Sequence, residues 1–255
     1  MISTMNITAE ERKAIEYYEG DVSGNDPFWS DPKAYVVLNS LFFPDITTEA
    51  ARSAEGKYLN PAILEDTERL ITVYRNLLSV CRKTAMHSDI ETYRVERLTD
   101  YQYCKNAGRT ISFTSTSASG FLREYQDRAG IVLMRFHMPA ATPCIPFADV
   151  LDKYAKSDEA EILLPPWLNL EINDIPLTSS EKQILDANGK PPELSCVVNV
   201  LQNTSPIKLA SELPENGSEA GQRVYNALNS GCIPSADDVR LYCVWKRALT
   251  SQLHL

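Results

Sequence analysis

The spacing of apolar residues changes from a helical period to a strand period at about residue 88 of this chain. Before the change, helices are predicted over about 9–18, 33–42 and 62–83, where apolar residues recur every three or four positions. Thr8 and Glu11 form a capping box at the start of the first helix, because each side chain can satisfy a free backbone amide there. Short apolar runs follow the change. This order predicts an α+β fold.

Six short β-prone runs are predicted after the change. They cover residues 92–95, 110–117, 130–138, 161–164, 168–172 and 196–201. A polar linker near residue 215 then leads to two further predicted helices, over 219–228 and 237–253.

The chain is long enough to bury a substantial core, with 255 residues of which 44% are hydrophobic. We expect a main domain over residues 1–203, with a helical part over about 1–88 and a sheet part over about 89–203. Residues 204–255 are expected to form a helical C-terminal extension.

The net charge and the cysteine content limit which binding partners and which metal sites are expected. A formal net charge of −9 disfavours nucleic acid and membranes as partners, because both present anionic surfaces. The N-terminus lacks a basic segment followed by an apolar run, so we expect the chain to be cytoplasmic where it is synthesised. Six cysteines are scattered among only three histidines, which is unlike a zinc site and indicates mostly buried free thiols.

Two carboxylates, Glu159 and Glu161, lead into an apolar run over 162–164 that Pro165 and Pro166 close. If the run begins a buried strand, its period of two puts both carboxylates on the same face. Each then disfavours ionisation of the other, and such pairs often serve chemistry at a sugar carbon. The alternative is a solvated strand entrance, where acidic residues only keep a sheet edge soluble.

Two other motifs on predicted strands precede the paired acids. They are the pair Tyr93-Arg94 and the segment formed by Phe113, Ser115, Thr116 and Ser117. The order of arginine, serine and glutamate resembles the signature of mono-ADP-ribosyltransferases, in the branch that contains toxins and arginine-modifying enzymes. The resemblance covers roughly residues 8–201, and Leu163-Leu164-Pro165 after the final acid also fits it.

The resemblance implies an ADP-ribosyltransferase-like fold, in which N-terminal helices precede two packed small β-sheets around an NAD cleft. Residues 1–203 would then be the catalytic domain. The implied co-substrate is NAD and the implied partner is a protein substrate. No metal is required.

The resemblance also implies a role for each motif. Glu161 would stabilise the positive charge that develops on the ribose and would accept a hydrogen bond from its 2′-hydroxyl. Arg94 would bind the pyrophosphate as a bidentate fork. Ser115, with Thr116 and Ser117, would contact the nicotinamide ribose and fix the carboxylate of Glu161. The flanking residues Tyr93 and Phe113 complete the NAD-binding set of these motifs.

Glu159 bears on the choice of acceptor. A guanidinium is a poor nucleophile, so a carboxylate must orient it and draw off charge as it attacks. In the resembled family, glutamate at this position accompanies arginine acceptors. The preceding loop over 146–158 also affects the acceptor, and its Phe147 and Tyr154 either contact a target protein or belong to the core. Phe121 and Arg128 stand where family members cover the nicotinamide and contact phosphate.

Two features depart from the family pattern. Pro166-Trp167 stands where many members have a basic residue and a glycine, and the extension over 204–255 has no counterpart. The predicted activity is transfer of ADP-ribose from NAD to arginine side chains of a target protein, with release of nicotinamide. The alternatives are an NAD glycohydrolase, in which water replaces the acceptor, and a silent module that binds NAD or protein. Export as an effector or toxin without a signal peptide is compatible with this sequence.

Overall fold

The structure is a computed structural model of the 255-residue chain. It describes residues 7–20, 35, 38–39, 67–110, 112–118, 131–155, 160–179, 194–201, 215–230 and 232–252. Most of the helix predicted over 33–42, and the first residues of the helix predicted over 62–83, lie outside the described residues.

The described helices in the N-terminal and C-terminal parts of the chain agree with the predicted helices. They are α1 (Ala9–Tyr18), α2 (Thr67–Lys83), α3 (Leu98–Ala107), α4 (Phe147–Val150), α5 (Gly217–Asn229) and α6 (Ala236–Gln252). The α3 helix was not predicted, because it is only 10 residues long and its apolar residues do not keep to one face. In the part of the chain that is described, no helix is both long and apolar enough to span a bilayer.

The strands fall close to the predicted runs. They are β1 (Ile90–Arg97), β2 (Thr114–Ser117), β3 (Ile131–Met138), β4 (Ile145–Pro146), β5 (Glu161–Leu164), β6 (Leu170–Ile175) and β7 (Leu194–Val200). The two-residue strand β4 was not predicted. A short 3-10 helix, Asp152–Tyr154, precedes β5.

In the part of the chain that the structure describes, one sheet contains all seven strands, in the order β4-β5-β2-β1-β3-β7-β6. The β3–β7 pair is parallel and the other pairs are antiparallel. The expected mixed fold of helices and sheet is confirmed, but the expected division into two separate sheets is not. The reason is the β1–β2 pair, in which Tyr93 lies opposite Ser117 and joins β4-β5-β2 to β1-β3-β7-β6.

The main core covers one face of the sheet. Its buried side chains come from β3, β5, β7 and the neighbouring segments: Tyr101, Val132, Met134, Phe136, Met138, Cys144, Ile162, Leu164, Leu168, Leu170, Cys196, Val198 and Val200. Every second residue of β3 from Val132 to Met138 belongs to this core, as expected for one face of a strand, while Leu133 is buried on the opposite face. All six cysteines are free and four of them are buried, as predicted.

The chain divides into two compact units. The sheet unit contains Thr84–Pro206 and Ala227–Ala236, so it holds β1 to β7. The helical unit contains Met1–Lys83, Ile207–Asn226 and Asp237–Leu255. The boundary near residue 203 between a main domain and an extension stays a prediction.

In the helical unit, Glu11 connects α1 to α2. The predicted capping box is present, since the Glu11 amide donates to Thr8 Oγ1 at 3.2 Å and the Thr8 amide donates to Glu11 Oε2 at 2.9 Å. The same carboxylate accepts hydrogen bonds from Ser79 Oγ at 2.6 Å and from Lys83 Nζ at 2.7 and 2.8 Å. Because Glu11 is only 4% exposed, this carboxylate is a buried charge that has its full set of partners.

Gly217, at the start of α5, is in close contact with Trp245 of α6. A Cβ at this position would overlap the Cβ, Cγ and Cδ1 atoms of Trp245. We therefore expect Gly217→Ala to lower the free energy of unfolding by about 1–3 kcal/mol, the usual cost of overpacking. Urea unfolding of this variant beside Ser218→Ala measures the effect. Equal stability of the two variants would contradict the close packing.

Candidate active site

Three neighbouring strands carry the motifs that the sequence singled out. Arg94 is on β1, the Ser115–Ser117 segment is on β2, and Glu161 is the first residue of β5. In the sheet, β2 lies between β5 and β1. Ser117 pairs with both neighbours, since it lies opposite Glu161 of β5 and opposite Tyr93 of β1. The sheet thus brings together residues that are far apart in sequence.

Arg94 contacts the serine segment directly. Its Nη1 donates to the backbone carbonyl of Ser115 at 2.7 Å, and its Nε and Nη2 contact the Oε1 atom of Glu96. The Arg94 side chain is 27% exposed, so the guanidinium is partly withdrawn from water but reachable by a ligand. A cation held in this way is suited to binding an anionic group.

The four residues of β2, Thr114–Ser117, all carry a hydroxyl and divide between two faces. Ser117 lies opposite Glu161, and the period of two puts Ser115 on that same face. Thr116 points the other way, is buried, and donates from Oγ1 to the carbonyl of Ile162 at 3.0 Å. Thr116 therefore links β2 to β5. Its predicted contact with the ribose stays a prediction.

The aromatic residues of the two motifs are packed. Phe113 is buried just before β2. Tyr93 packs against the buried pair Val95 and Leu133, and its hydroxyl contacts the carboxylate of Glu91. Because adjacent strand residues face opposite sides, Tyr93 and Arg94 extend from opposite faces of β1. The roles of Tyr93 and Phe113 in NAD binding stay predictions, but their packing gives each a structural role.

The backbone changes direction immediately before Glu161. Ala160 has φ = 44°, in the left-handed region that favours glycine, and its carbonyl accepts a hydrogen bond from the Ala118 amide at 3.1 Å. The strand therefore begins at Glu161, and the common face expected for Glu159 and Glu161 stays a prediction. Glu159, Phe121 and Arg128 lie outside the described residues.

Trp167 shapes the exit from β5, where the sequence departs from the family pattern. Trp167 is buried with φ = 74°, and its amide donates to the Thr110 carbonyl at 2.6 Å. The Thr110 hydroxyl donates to the Pro165 carbonyl at 2.8 Å and accepts from the Leu168 amide at 2.9 Å. These bonds fix the end of the strand that begins with Glu161.

The loop before the acids contains a packed aromatic pair. Phe147 is buried, and its ring centroid lies 5.7 Å from that of Tyr154. The ammonium group of Lys153 lies 4.9 Å from the Tyr154 ring centroid. Of the two readings left open for these aromatics, Phe147 belongs to the core, and Tyr154 is a half-buried residue packed on it.

Two acidic residues near Arg94 were not identified as site residues from the sequence. Glu96 was detectable, because residues two apart in a strand share a face. Asp100 could not be identified from the sequence, because it belongs to helix α3, which was not predicted. Burial and then the charge of Glu96 raise the pKa of the Asp100 carboxyl, while Arg97 and Arg94 act against the increase. Arg94 thus lies in a group of opposed charges.

Comparisons with known proteins identify the fold. No protein-family model and no curated protein sequence matches the chain. Among solved structures, the ADP-ribosylating toxin BECa of C. perfringens, solved with NADH, matches with a TM-score of 0.50 and 16% identity. This match covers 78% of the chain and 45% of BECa, so the chain spans less than half of that toxin.

Two further solved structures also match. The Vis toxin of Vibrio splendidus, an ADP-ribosyltransferase, has 18% identity and a TM-score of 0.43, over 80% of this chain and 78% of Vis. The enzymatic component C2-I of the C2 toxin of Clostridium botulinum has 14% identity and a TM-score of 0.46, over 79% of this chain and 45% of C2-I. From the likeness to BECa, the chain has the fold of the mono-ADP-ribosyltransferase toxins.

Proposed function

We propose that this protein is a mono-ADP-ribosyltransferase that transfers ADP-ribose from NAD to arginine side chains of a target protein and releases nicotinamide. The observation that carries the proposal is the adjacency of three strands, on which Ser117 lies opposite Glu161 and the Arg94 guanidinium reaches the backbone carbonyl of Ser115. The fold supports it, because it is that of a toxin solved with the dinucleotide NADH.

The donor set fits NAD as a substrate. Arg94 supplies a guanidinium that is already fixed at one nitrogen by the Ser115 carbonyl, and such a fork is suited to a diphosphate. Ser115 and Ser117 supply short hydroxyls on the face that Ser117 shares with Glu161, where they can bind a ribose. A dinucleotide offers both groups in one molecule.

Glu161 is assigned the chemical step. When the bond between nicotinamide and the ribose carbon breaks, its electron pair leaves with nicotinamide and positive charge develops on the ribose. The half-buried carboxylate of Glu161 stabilises that charge, and the protein environment strengthens the effect relative to water. The acceptor nitrogen then bonds to the ribose carbon and gives up a proton.

The acceptor assignment depends on Glu159. We expect Glu159→Gln to lower transfer to protein arginine by about tenfold or more while changing NAD hydrolysis by about twofold or less, because only transfer needs a carboxylate to orient the guanidinium. The measurement compares labelled ADP-ribose on a protein substrate with nicotinamide release in its absence. An equal loss of both activities would contradict the assignment.

Two other functions remain as alternatives from the sequence. A glycohydrolase would release nicotinamide at the same rate with and without a protein substrate. A silent module would bind NAD in calorimetry without turnover, in the wild type as in Glu161→Ala. The likeness to the toxin BECa supports a further part of the proposal, that the protein is exported as an effector or toxin.

The direct test is incubation of the protein with labelled NAD and a lysate, followed by mass spectrometry of the modified residues. We expect ADP-ribose on arginine side chains. Label confined to another residue type would overturn the arginine assignment, and the absence of both label and nicotinamide release would overturn the enzymatic proposal.

A further inference from the structure

Glu96 makes a specific contact with the guanidinium of Arg94. The two residues are two positions apart on β1, so their side chains share one face of the strand. Arg94 contacts the Oε1 atom of Glu96 through both Nε and Nη2. On the other side, Nη1 donates to the Ser115 carbonyl of β2 at 2.7 Å.

These two contacts fix the orientation of the Arg94 guanidinium as well as its position. A guanidinium is planar, and acceptors at Nε, Nη2 and Nη1 define both the plane and the rotation of the group within it. One acceptor comes from the same strand as the arginine and the other from the neighbouring strand. The orientation of the cation is therefore set by the junction between β1 and β2.

The degree of burial makes this contact more than an ordinary surface ion pair. The Arg94 and Glu96 side chains are 27% and 21% exposed, whereas the pairs that contribute little to proteins are those surrounded by water. Holding a long side chain in one rotamer also costs entropy that a ligand would otherwise have to offset on binding. A guanidinium that is already oriented loses less side-chain entropy when its ligand binds.

We propose that Glu96 is a positioning residue that orients the guanidinium of Arg94 for the diphosphate of NAD. This inference rests on the proposed function, and it adds a residue to the binding site. Glu96 acts through Arg94 and takes no part in the chemical step.

The negative charge of Glu96 also acts against NAD binding, and the test must distinguish this effect from the orientation of Arg94. A carboxylate beside the guanidinium repels an anionic ligand and competes with it for Arg94. If competition were dominant, removal of the carboxylate would strengthen NAD binding. If orientation is dominant, removal weakens binding, and an uncharged acceptor of the same shape restores it.

The kinetic test uses Glu96→Ala and Glu96→Gln. We expect the alanine variant to raise the KM for NAD about tenfold, the factor that loss of one charge-assisted hydrogen bond produces, with kcat within about twofold of wild type. The glutamine variant keeps an acceptor and should remain within about threefold of the wild-type KM.

The control is Glu171→Ala, because Glu171 is an exposed strand carboxylate that also accepts a side-chain hydrogen bond, here from Asn199. A lower KM in both Glu96 variants, or an unchanged KM in Glu96→Ala, would overturn the proposal.

A second readout separates this inference from the proposed function. The Arg94 Nε–H signal in a nitrogen-15 NMR spectrum, assigned by its loss in Arg94→Lys, reports the order of the guanidinium without any turnover. We expect a sharp signal in wild type and in Glu96→Gln, and a broadened or shifted one in Glu96→Ala. An unchanged signal in Glu96→Ala overturns the positioning role. If NAD is neither bound nor cleaved by wild type, the proposed function fails, and with it the ligand assigned to Arg94, while the NMR result still decides whether Glu96 orients the guanidinium.

Discussion

Replacing Glu161 by glutamine is expected to lower the rate of nicotinamide release from NAD by at least about a hundredfold, the usual effect of removing one charge-stabilising group from a transition state. Glutamine has nearly the same shape, so it keeps the packing at the start of β5 but lacks the negative charge. The carboxylate is needed most when positive charge develops on the ribose, so kcat should fall much more than the affinity for NAD. Release of nicotinamide under single-turnover conditions, with calorimetry of NAD binding, measures both quantities.

Glu171→Gln is the matched control for this result. It makes the same chemical change at an exposed position of β6, and it should leave nicotinamide release unchanged. The melting temperatures of the two variants should agree with that of wild type within about 2 °C, since neither change removes apolar packing. A Glu161→Gln variant that retains a tenth or more of the wild-type rate would exclude Glu161 as the catalytic carboxylate.

Replacing Glu11 by alanine is expected to lower the free energy of unfolding by about 3 kcal/mol, the sum of a lost helix cap and lost charge-assisted hydrogen bonds. The carboxylate holds the Thr8 amide, the Ser79 hydroxyl and the Lys83 ammonium group together, so its removal affects α1, α2 and the contact between them. Urea unfolding measures the change, with Glu10→Ala as the control. Glu10 is an exposed residue of the same first turn and should contribute a few tenths of a kcal/mol at most.

The pH dependence of this stability follows from the pKa of Glu11. Burial alone raises the pKa, but the hydrogen bonds from Lys83, Ser79 and Thr8 outweigh it and leave the pKa below the ordinary value. Because the folded pKa is lowered, the stabilisation is complete above the ordinary pKa of glutamate and is lost as the pH falls through the lowered one. The difference between wild type and Glu11→Ala should therefore shrink on acidification. A difference that grows toward low pH would contradict this assignment.

Local signals in the sequence predicted local structure well. The capping box of Thr8 and Glu11 is present as expected, and β5 begins at Glu161 and ends at Leu164 as predicted. The predicted C-terminal helices also agree with α5 and α6 to within about two residues at each end. Caps, prolines and a regular apolar period act over a few residues, so one sequence is enough to detect them.

Features that depend on distant partners could not be predicted in this way. The hydrogen bonds that Glu11 accepts from Ser79 and Lys83 join residues about 70 positions apart, and no local pattern indicates them. The helix α3 was missed because tertiary contacts stabilise it, including the contact of Tyr101 with Asp174 and the 2.7 Å ion pair between Lys105 and Asp174. The left-handed backbone at Ala160 was also unpredictable, since alanine rarely adopts it.

The candidate site depends both on local sequence signals and on contacts between residues that are distant in the sequence. The residue types of the three motifs could be identified from the sequence, but their adjacency depends on the strand order, in which β2 separates β5 from β1. The orientation of Arg94 depends on the carbonyl of Ser115, which a sequence pattern cannot specify. The residue types of the motifs were therefore visible in the sequence, and their arrangement in the sheet was not.

The most direct test of the account is a crystal structure of the Glu161→Gln variant with intact NAD. We expect the diphosphate within hydrogen-bond distance of the Arg94 guanidinium, and the nicotinamide ribose beside Ser115, Ser117 and the side chain at position 161. NAD bound at a different part of the sheet, or with its diphosphate away from Arg94, would contradict the claim that these three strands form one dinucleotide site.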